Sequence, residues 1–192
     1  MKKTLVIVIT AFFGMNFLLV GGGVIWYINT RNDLVRLDET INLAEAEIDN
    51  QLQRRSDLIP NFVNTVRGYA AHEHQVFTEI ANARSRLAGA RTMEERASGY
   101  NEMESALSRL LVIVESYPAL QANQNFIALQ DELAGTENRL SVARRRYNES
   151  VSTFNVRIRA FPGSIVAGQM GFYRRAFFEI ADTAREAPLV SF

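Results

Sequence analysis

An all-α architecture is what this sequence predicts: an N-terminal transmembrane helix, an elongated antiparallel bundle of about four helices, and a short aromatic C-terminal helix. Three observations predict it. An uncharged apolar run opens the chain, from Thr4 to Ile28. Beyond it, apolar residues recur at three-four spacing, and no useful length alternates as a strand would. The composition, 47% hydrophobic with 4 prolines in 192 residues, suits helices. The chain divides accordingly into residues 1–28 (anchor), 29–163 (bundle) and 164–192, an aromatic segment packed on the bundle, a neighbouring subunit or the membrane surface.

Charge and cysteine content narrow the chemistry. Lys+Arg and Asp+Glu both number 21, so the formal net charge is zero. A balance of this kind does not fit an electrostatically driven nucleic-acid binder. With no cysteine, disulfides, thiol catalysis and cysteine metal sites are excluded.

The 25 residues Thr4–Ile28 make ~37 Å of helix at ~1.5 Å per residue, enough to cross a bilayer with some tilt. Leu5, Phe12 and Phe17 lie in its apolar body. Trp26 and Tyr27 stand at its far end, where an aromatic belt anchors a helix at the interface. A cleaved signal peptide is the rival reading, with Gly21, Gly22 and Gly23 as the small residues. The apolar run continues past those glycines through Ile28, which favours a retained anchor. The same glycines suit a close helix–helix seam, or are simply tolerated in a membrane helix. Lys2 and Lys3 precede the span and put the N-terminus in the cytoplasm and the bundle outside.

The first bundle helix is expected from about Arg31 to Arg55, with the stripe Leu34, Leu37, Ile41, Ala44, Ile48 and Leu52. No Pro or Gly separates it from the anchor, so the two form one rod. Pro60 suits a first helical turn and marks a second helix, with Val63, Val66 and Phe77 on its stripe and Gly89 at its end. Thr92 followed by Glu95 is a capping-box signature opening a third helix, whose core includes Leu107 and which stops before Pro118. Asn123 caps a fourth helix of ~38 residues, with the stripe Phe126, Leu133, Leu140, Tyr147 and Phe154 among its members. The segment Gly171–Ile180 then gathers Phe172, Tyr173, Phe177 and Phe178 around Arg174 and Arg175. It reads as a terminal helix docked on the bundle, or as a subunit or lipid contact.

The stretch Ile48-Asp49-Asn50-Gln51-Leu52-Gln53-Arg54-Arg55-Ser56-Asp57-Leu58-Ile59-Pro60-Asn61-Phe62-Val63 resembles the signature of the LemA family. Further blocks resemble it in order: Glu115-Ser116-Tyr117-Pro118, Thr136-Glu137-Asn138-Arg139, and Tyr147-Asn148-Glu149-Ser150-Val151. The resemblance implies a bacterial single-pass protein of the cytoplasmic (inner) membrane, built as a helical bundle, with no established enzymatic activity. Relatives in magnetosome membranes imply a role in membrane organisation or remodelling. Gene neighbourhoods in the family point, as an alternative, to an envelope peptidase as partner.

The residues offer little for catalysis. His72 and His74 are two apart, ~200° around a helix, and do not share a metal within one chain as the i, i+4 pair of HExxH does. Glu73 falls on the apolar stripe between Ala70 and Phe77 and wants a polar partner. Arg54, Arg55 and Asp57 beside the Ile59-Pro60 turn suit an ion pair between helix ends. Arg144, Arg145 and Arg146 point to different sides of one turn, as a solvated cluster or as a contact for anionic lipid. The sequence therefore predicts a non-enzymatic protein with no catalytic residue, cofactor or metal. Its expected partners are the lipid bilayer and further copies of itself as a homo-oligomer, and nucleic acid is not among them.

Overall fold

The computed structural model describes residues 2–179, with side chains from Phe12 onward. Helices α1 (Lys2–Arg67), α2 (His74–Gly89), α3 (Met93–Val114), α4 (Pro118–Gln121), α5 (Gln124–Arg159) and α6 (Gly163–Met170) follow in order, and the described residues contain no strand. The all-α class is as the sequence predicts. The chain forms two compact units. One takes the chain up to Ile41 with Ser152–Arg175, the other takes Asn42–Val151 with the chain from Ala176 onward.

The predicted rod is longer than expected. α1 runs 66 residues and carries Pro60 in its interior, so Pro60 does not open a new helix. The ring removes one i→i−4 bond, that to the Ser56 carbonyl. Burial of Leu52, Ile59, Phe62, Val63 and Val66 holds the turns on both sides in place. The reversal comes instead at Gly68–Glu73, where Tyr69 and Ala70 N–H both donate to the Val66 carbonyl at 2.9 Å. The expected second helix is thereby split. Glu73 is the residue preceding α2 rather than a stripe member, and it makes no side-chain cap bond.

In the larger unit, α2 and α3 pair antiparallel, since Arg86 reaches Glu102 at 2.7 Å and Arg109 reaches Glu79 at 2.7 Å. The Thr92 box opens α3 as predicted: Thr92 Oγ1 accepts from Glu95 N–H at 3.2 Å, and Glu95 accepts from Thr92 N–H at 3.3 Å. These backbone donors, Arg91 N–H first, hold the Glu95 carboxyl below the usual range. α1 and α5 also run antiparallel here, with Phe62 stacked on Phe126 at 5.2 Å and Arg54 paired with Glu132 at 3.0 Å. Asn123 caps α5, its Oδ1 accepting from Asn125 and Phe126 N–H at 2.9 and 3.1 Å. Ile48, Val63, Val66, Phe77, Leu107, Phe126, Leu133, Leu140 and Tyr147 are all buried here.

In the smaller unit, Leu34, Ile41 and Phe154 are buried, while Leu37 is half-buried at the rim of its stripe. Arg157 Nε donates to Asp33 at 3.0 Å. Beyond α5 the backbone doubles back so tightly that a Cβ at Gly163 would lie 2.5 Å from the Arg157 carbonyl oxygen. α6 ends at Gly171 with φ of 70°, the left-handed conformation that glycine adopts without a Cβ clash.

The aromatic segment is not a helix: residues 172–179 carry no regular secondary structure, and residues 180–192, the rest of the predicted C-terminal segment, lie outside the described residues. The left-handed turn at Gly171 breaks the helical path, and side-chain amides on α5 then take up the backbone groups that a helix would have paired.

Candidate functional site

Three sets of residues stand out, each for a different reason. The first is a charge cluster inside the larger unit. Arg55 continues the three-four stripe of Ile48 and Leu52 toward Ile59, so its side chain enters the bundle rather than solvent, and it is only 5% exposed. Its Nη1 donates to the Leu133 carbonyl at 3.1 Å and lies 3.1 Å from Glu137 Oε2. Its Nη2 donates to Glu104. Tyr100 donates its hydroxyl to Glu137, and its ring lies under the guanidinium, 5.9 Å from the centroid to Cζ. Nε has no partner. One guanidinium thus serves two carboxylates. Burial pushes the Glu104 carboxyl above the usual range, Arg55 opposes the shift, and Glu137 adds to it. Burial and the charge of Glu104 likewise push the Tyr100 phenol up. α1, α3 and α5 each supply a member, so the cluster pins the register of three helices. The expected tie between helix ends is corrected here: Arg55 is interior, Arg54 pairs with Glu132, and Asp57 accepts from Gln53 on its own helix.

The second set is the extended segment after Gly171. In the smaller unit, Asn155 donates to the Arg175 carbonyl at 2.8 Å and accepts from Arg175 N–H at 2.9 Å. The Arg175 guanidinium holds Asp38 at 2.7 Å, and Phe172 meets Phe154 edge-on at 5.5 Å. In the larger unit, Asn148 makes the same two bonds with Phe178, at 3.1 and 2.9 Å, and Tyr147 donates to the Ala176 carbonyl at 2.9 Å. Phe178 is buried, its ring 6.2 Å from that of Tyr100. Each asparagine presents to the segment's backbone what a neighbouring strand would present: one donor and one acceptor. Of the predicted subunit or lipid contacts, Phe178 is therefore core, Phe172, Arg175 and Phe177 are half-buried, and Tyr173 and Arg174 are exposed.

The third set is the apolar start of α1. Phe12 and Phe17 are 66% and 80% exposed, and Trp26 is exposed at the margin of the run. A Cβ added at Gly21, Gly22 or Gly23 would meet nothing within 4 Å, so no contact within the chain requires those glycines. Tyr27 is half-buried, and the Leu5 side chain lies outside the described residues. The helix is long and apolar enough to cross a membrane, and none of its apolar window is buried.

Residues 44–192 match the model of the LemA family. The chain belongs to the LemA family. Protein LemA of Metamycoplasma hominis is 24% identical over 187 residues, which is 96% of this chain and 85% of the relative. Magnetosome protein MamQ 2 of Paramagnetospirillum magneticum is 23% identical over 189 residues, covering 83% of this chain and 68% of the relative. Magnetosome protein MamQ of Magnetospirillum gryphiswaldense is 24% identical over 186 residues, with the same coverage. The blocks that carry the LemA resemblance include Arg55, Glu137, Tyr147 and Asn148, the residues that pin helices to one another and to the segment after Gly171.

Sequence reasoning missed the interior roles of Arg55, Glu104, Glu137, Asn148 and Asn155. For Arg55 a signal was present, its position on the apolar stripe. For the two asparagines none was, because their partners are backbone groups of a segment far along the chain. The three arginines at 144–146 stay at the surface, Arg144 half-buried and the other two exposed.

Proposed function

We propose that this LemA-family chain is a non-enzymatic, membrane-anchored structural protein that self-assembles and organises or remodels the membrane. The observation that carries the proposal is α1 itself. One unbroken helix joins an exposed apolar run to a charged bundle, so force or orientation passes between bilayer and bundle without a flexible tether. The polar cluster supports a structural reading: the Arg55 guanidinium is taken up by Glu104, Glu137 and the Leu133 carbonyl, ties that hold three helices together. The relatives named as magnetosome proteins favour a role at a specialised compartment.

The test is the native mass of the full-length protein in mild detergent and in nanodiscs, by light scattering or single-particle imaging. A discrete large particle is the expected result. A monomer that persists across detergents and nanodiscs would overturn self-assembly and leave an adaptor that presents its bundle to an envelope peptidase as the reading to pursue.

A further inference from the structure

The corner between α5 and α6 is built unlike the rest of the bundle. From Ala160 to Tyr173, 14 consecutive residues carry no charge. Arginines close both ends of this stretch, Arg157 and Arg159 before it, Arg174 and Arg175 after it. Phe161 is 82% exposed, Ile165 51% and Tyr173 82%, although Val166 and Ala167 beside them are buried. Arg157 and Arg175 turn inward to Asp33 and Asp38. Arg159 and Arg174 are exposed and form no ion pair among the described residues.

Register places this corner. Asp38 meets Arg175, whose N–H is held by Asn155, and Asp33 meets Arg157. Moving along α1 toward its start therefore means moving along α5 toward its end. Two further residues, from Asp33 to Arg31 on α1 and from Arg157 to Arg159 at the end of α5, cover the same ~3 Å on both helices. The corner that begins with Ala160 and Phe161 thus follows directly on the end of α5, on the side of the uncharged run where Trp26 and Tyr27 lie.

We infer that the α5–α6 corner is a second membrane-contacting element. Phe161, Ile165 and Tyr173 sit in the interface of the bilayer that α1 crosses, and Arg159 and Arg174 meet anionic headgroup phosphates. Exposed aromatic and aliphatic side chains flanked by arginine are the composition that lies in an interface plane, with the cations attracted to acidic lipid. The occupant follows from continuity with the anchor: a bilayer that takes up residues 4–28 brings its headgroups to the level of this corner. The inference rests on α1 spanning the membrane.

The chain has no native cysteine, so single cysteines report cleanly. Full-length Tyr27→Cys, Phe161→Cys and Thr40→Cys proteins, each carrying one fluorophore, are reconstituted into vesicles of phosphatidylcholine and phosphatidylglycerol. Phosphatidylcholine brominated near the headgroup end of its chains is the quencher. Thr40 is exposed in the same unit and lies ~18 Å of helix beyond Ile28. Quenching at 161 within about a factor of two of that at 27, with none at 40, is the expected result. Quenching at 27 alone overturns the inference and leaves the anchor standing. Label at 161 that is shielded from aqueous iodide yet not quenched by lipid also overturns it, pointing to a protein occupant. Loss of quenching at 27 overturns the spanning anchor itself. As a second variant, Phe161→Glu with Ile165→Glu changes only exposed side chains, and it is expected to abolish quenching of a label at Tyr173→Cys. Retained quenching there counts against the inference.

Discussion

Arg55 lies inside the bundle where acceptors from two other helices meet it, and the cost of removing it is set by what is left behind. In Arg55→Ala, Glu104 and Glu137 lose their counter-charge. Both carboxylate side chains retain about a third of their exposure and rehydrate in part. The expected loss is therefore about 3 kcal/mol, the low end for a broken buried pair, read from urea unfolding. An unchanged midpoint would show the cluster to be inert. Glu104 adds a pH signature. Its folded-state value is raised above the ordinary 4.5, so the folded protein binds that proton more tightly than the unfolded chain. The contribution of this group to stability falls as pH rises from the ordinary value through the raised one, and is flat beyond. The stability of Glu104→Gln minus that of the parent should accordingly grow across that window. Asp33, held low by its hydrogen bond from Arg36, has the opposite sign: its contribution is present above 3.8 and is lost as pH falls through the lowered value. A difference curve between Glu104→Gln and the parent without slope above 4.5 would refute the assignment to Glu104.

Elements in this protein are bounded by tertiary packing as much as by local propensity. Pro60 lies mid-helix because the apolar residues on both flanks are buried, whereas Gly68, with no proline near, sits at the true reversal. The irregular segment after Gly171 has backbone groups without helical partners, and α5 supplies partners through two asparagines. Phe178 then fills core space against Tyr100. Phe178→Ala should cost about 3 kcal/mol in thermal or urea unfolding, as large-to-small core changes do. Tyr173→Ala, at an 82% exposed position, should leave stability within about 0.5 kcal/mol. If Phe178→Ala instead dissociated an assembly and left the fold intact, the segment would be an interface rather than core.

At the scale of the whole molecule, the decisive asymmetry is between the uncharged start of the chain and everything after it. Lys2 and Lys3 are the only lysines, and every cation beyond the apolar run is arginine. Arginine suits the inter-helix ties here, because its planar fork serves two or three acceptors at once, as Arg55 and Arg96 both do. Among the described residues the apolar window of α1 is not buried, and under the proposed reading the bilayer covers it. An arginine near the centre of a spanning helix costs about 2.5–3.5 kcal/mol. Phe17→Arg with Leu18→Arg should therefore release the protein from membranes under alkaline carbonate, while circular dichroism reports an intact bundle. Continued retention in the membrane pellet would contradict α1 as the anchor.

The sequence by itself determined the helical class, the apolar run, the Thr92 and Asn123 caps and most of the buried stripe. All of these are local: they rest on periodicity, on side chains within three residues of the groups they cap, and on the length of an uncharged segment. Even the interior Arg55 was marked by its place on the stripe, though not its partners. Tertiary structure alone decided that Pro60 is spanned, that the aromatic tail is extended, and that Asn148 and Asn155 serve as its ladder. Each of these depends on atoms brought together from distant parts of the chain. A backbone N–H or carbonyl looks the same in every residue, so the sequence carries no mark of which side-chain amide will satisfy it. The side on which the α5–α6 corner lies, toward the apolar run, is of the same kind, because it follows from the pairing of Asp33 with Arg157 across 124 residues of chain.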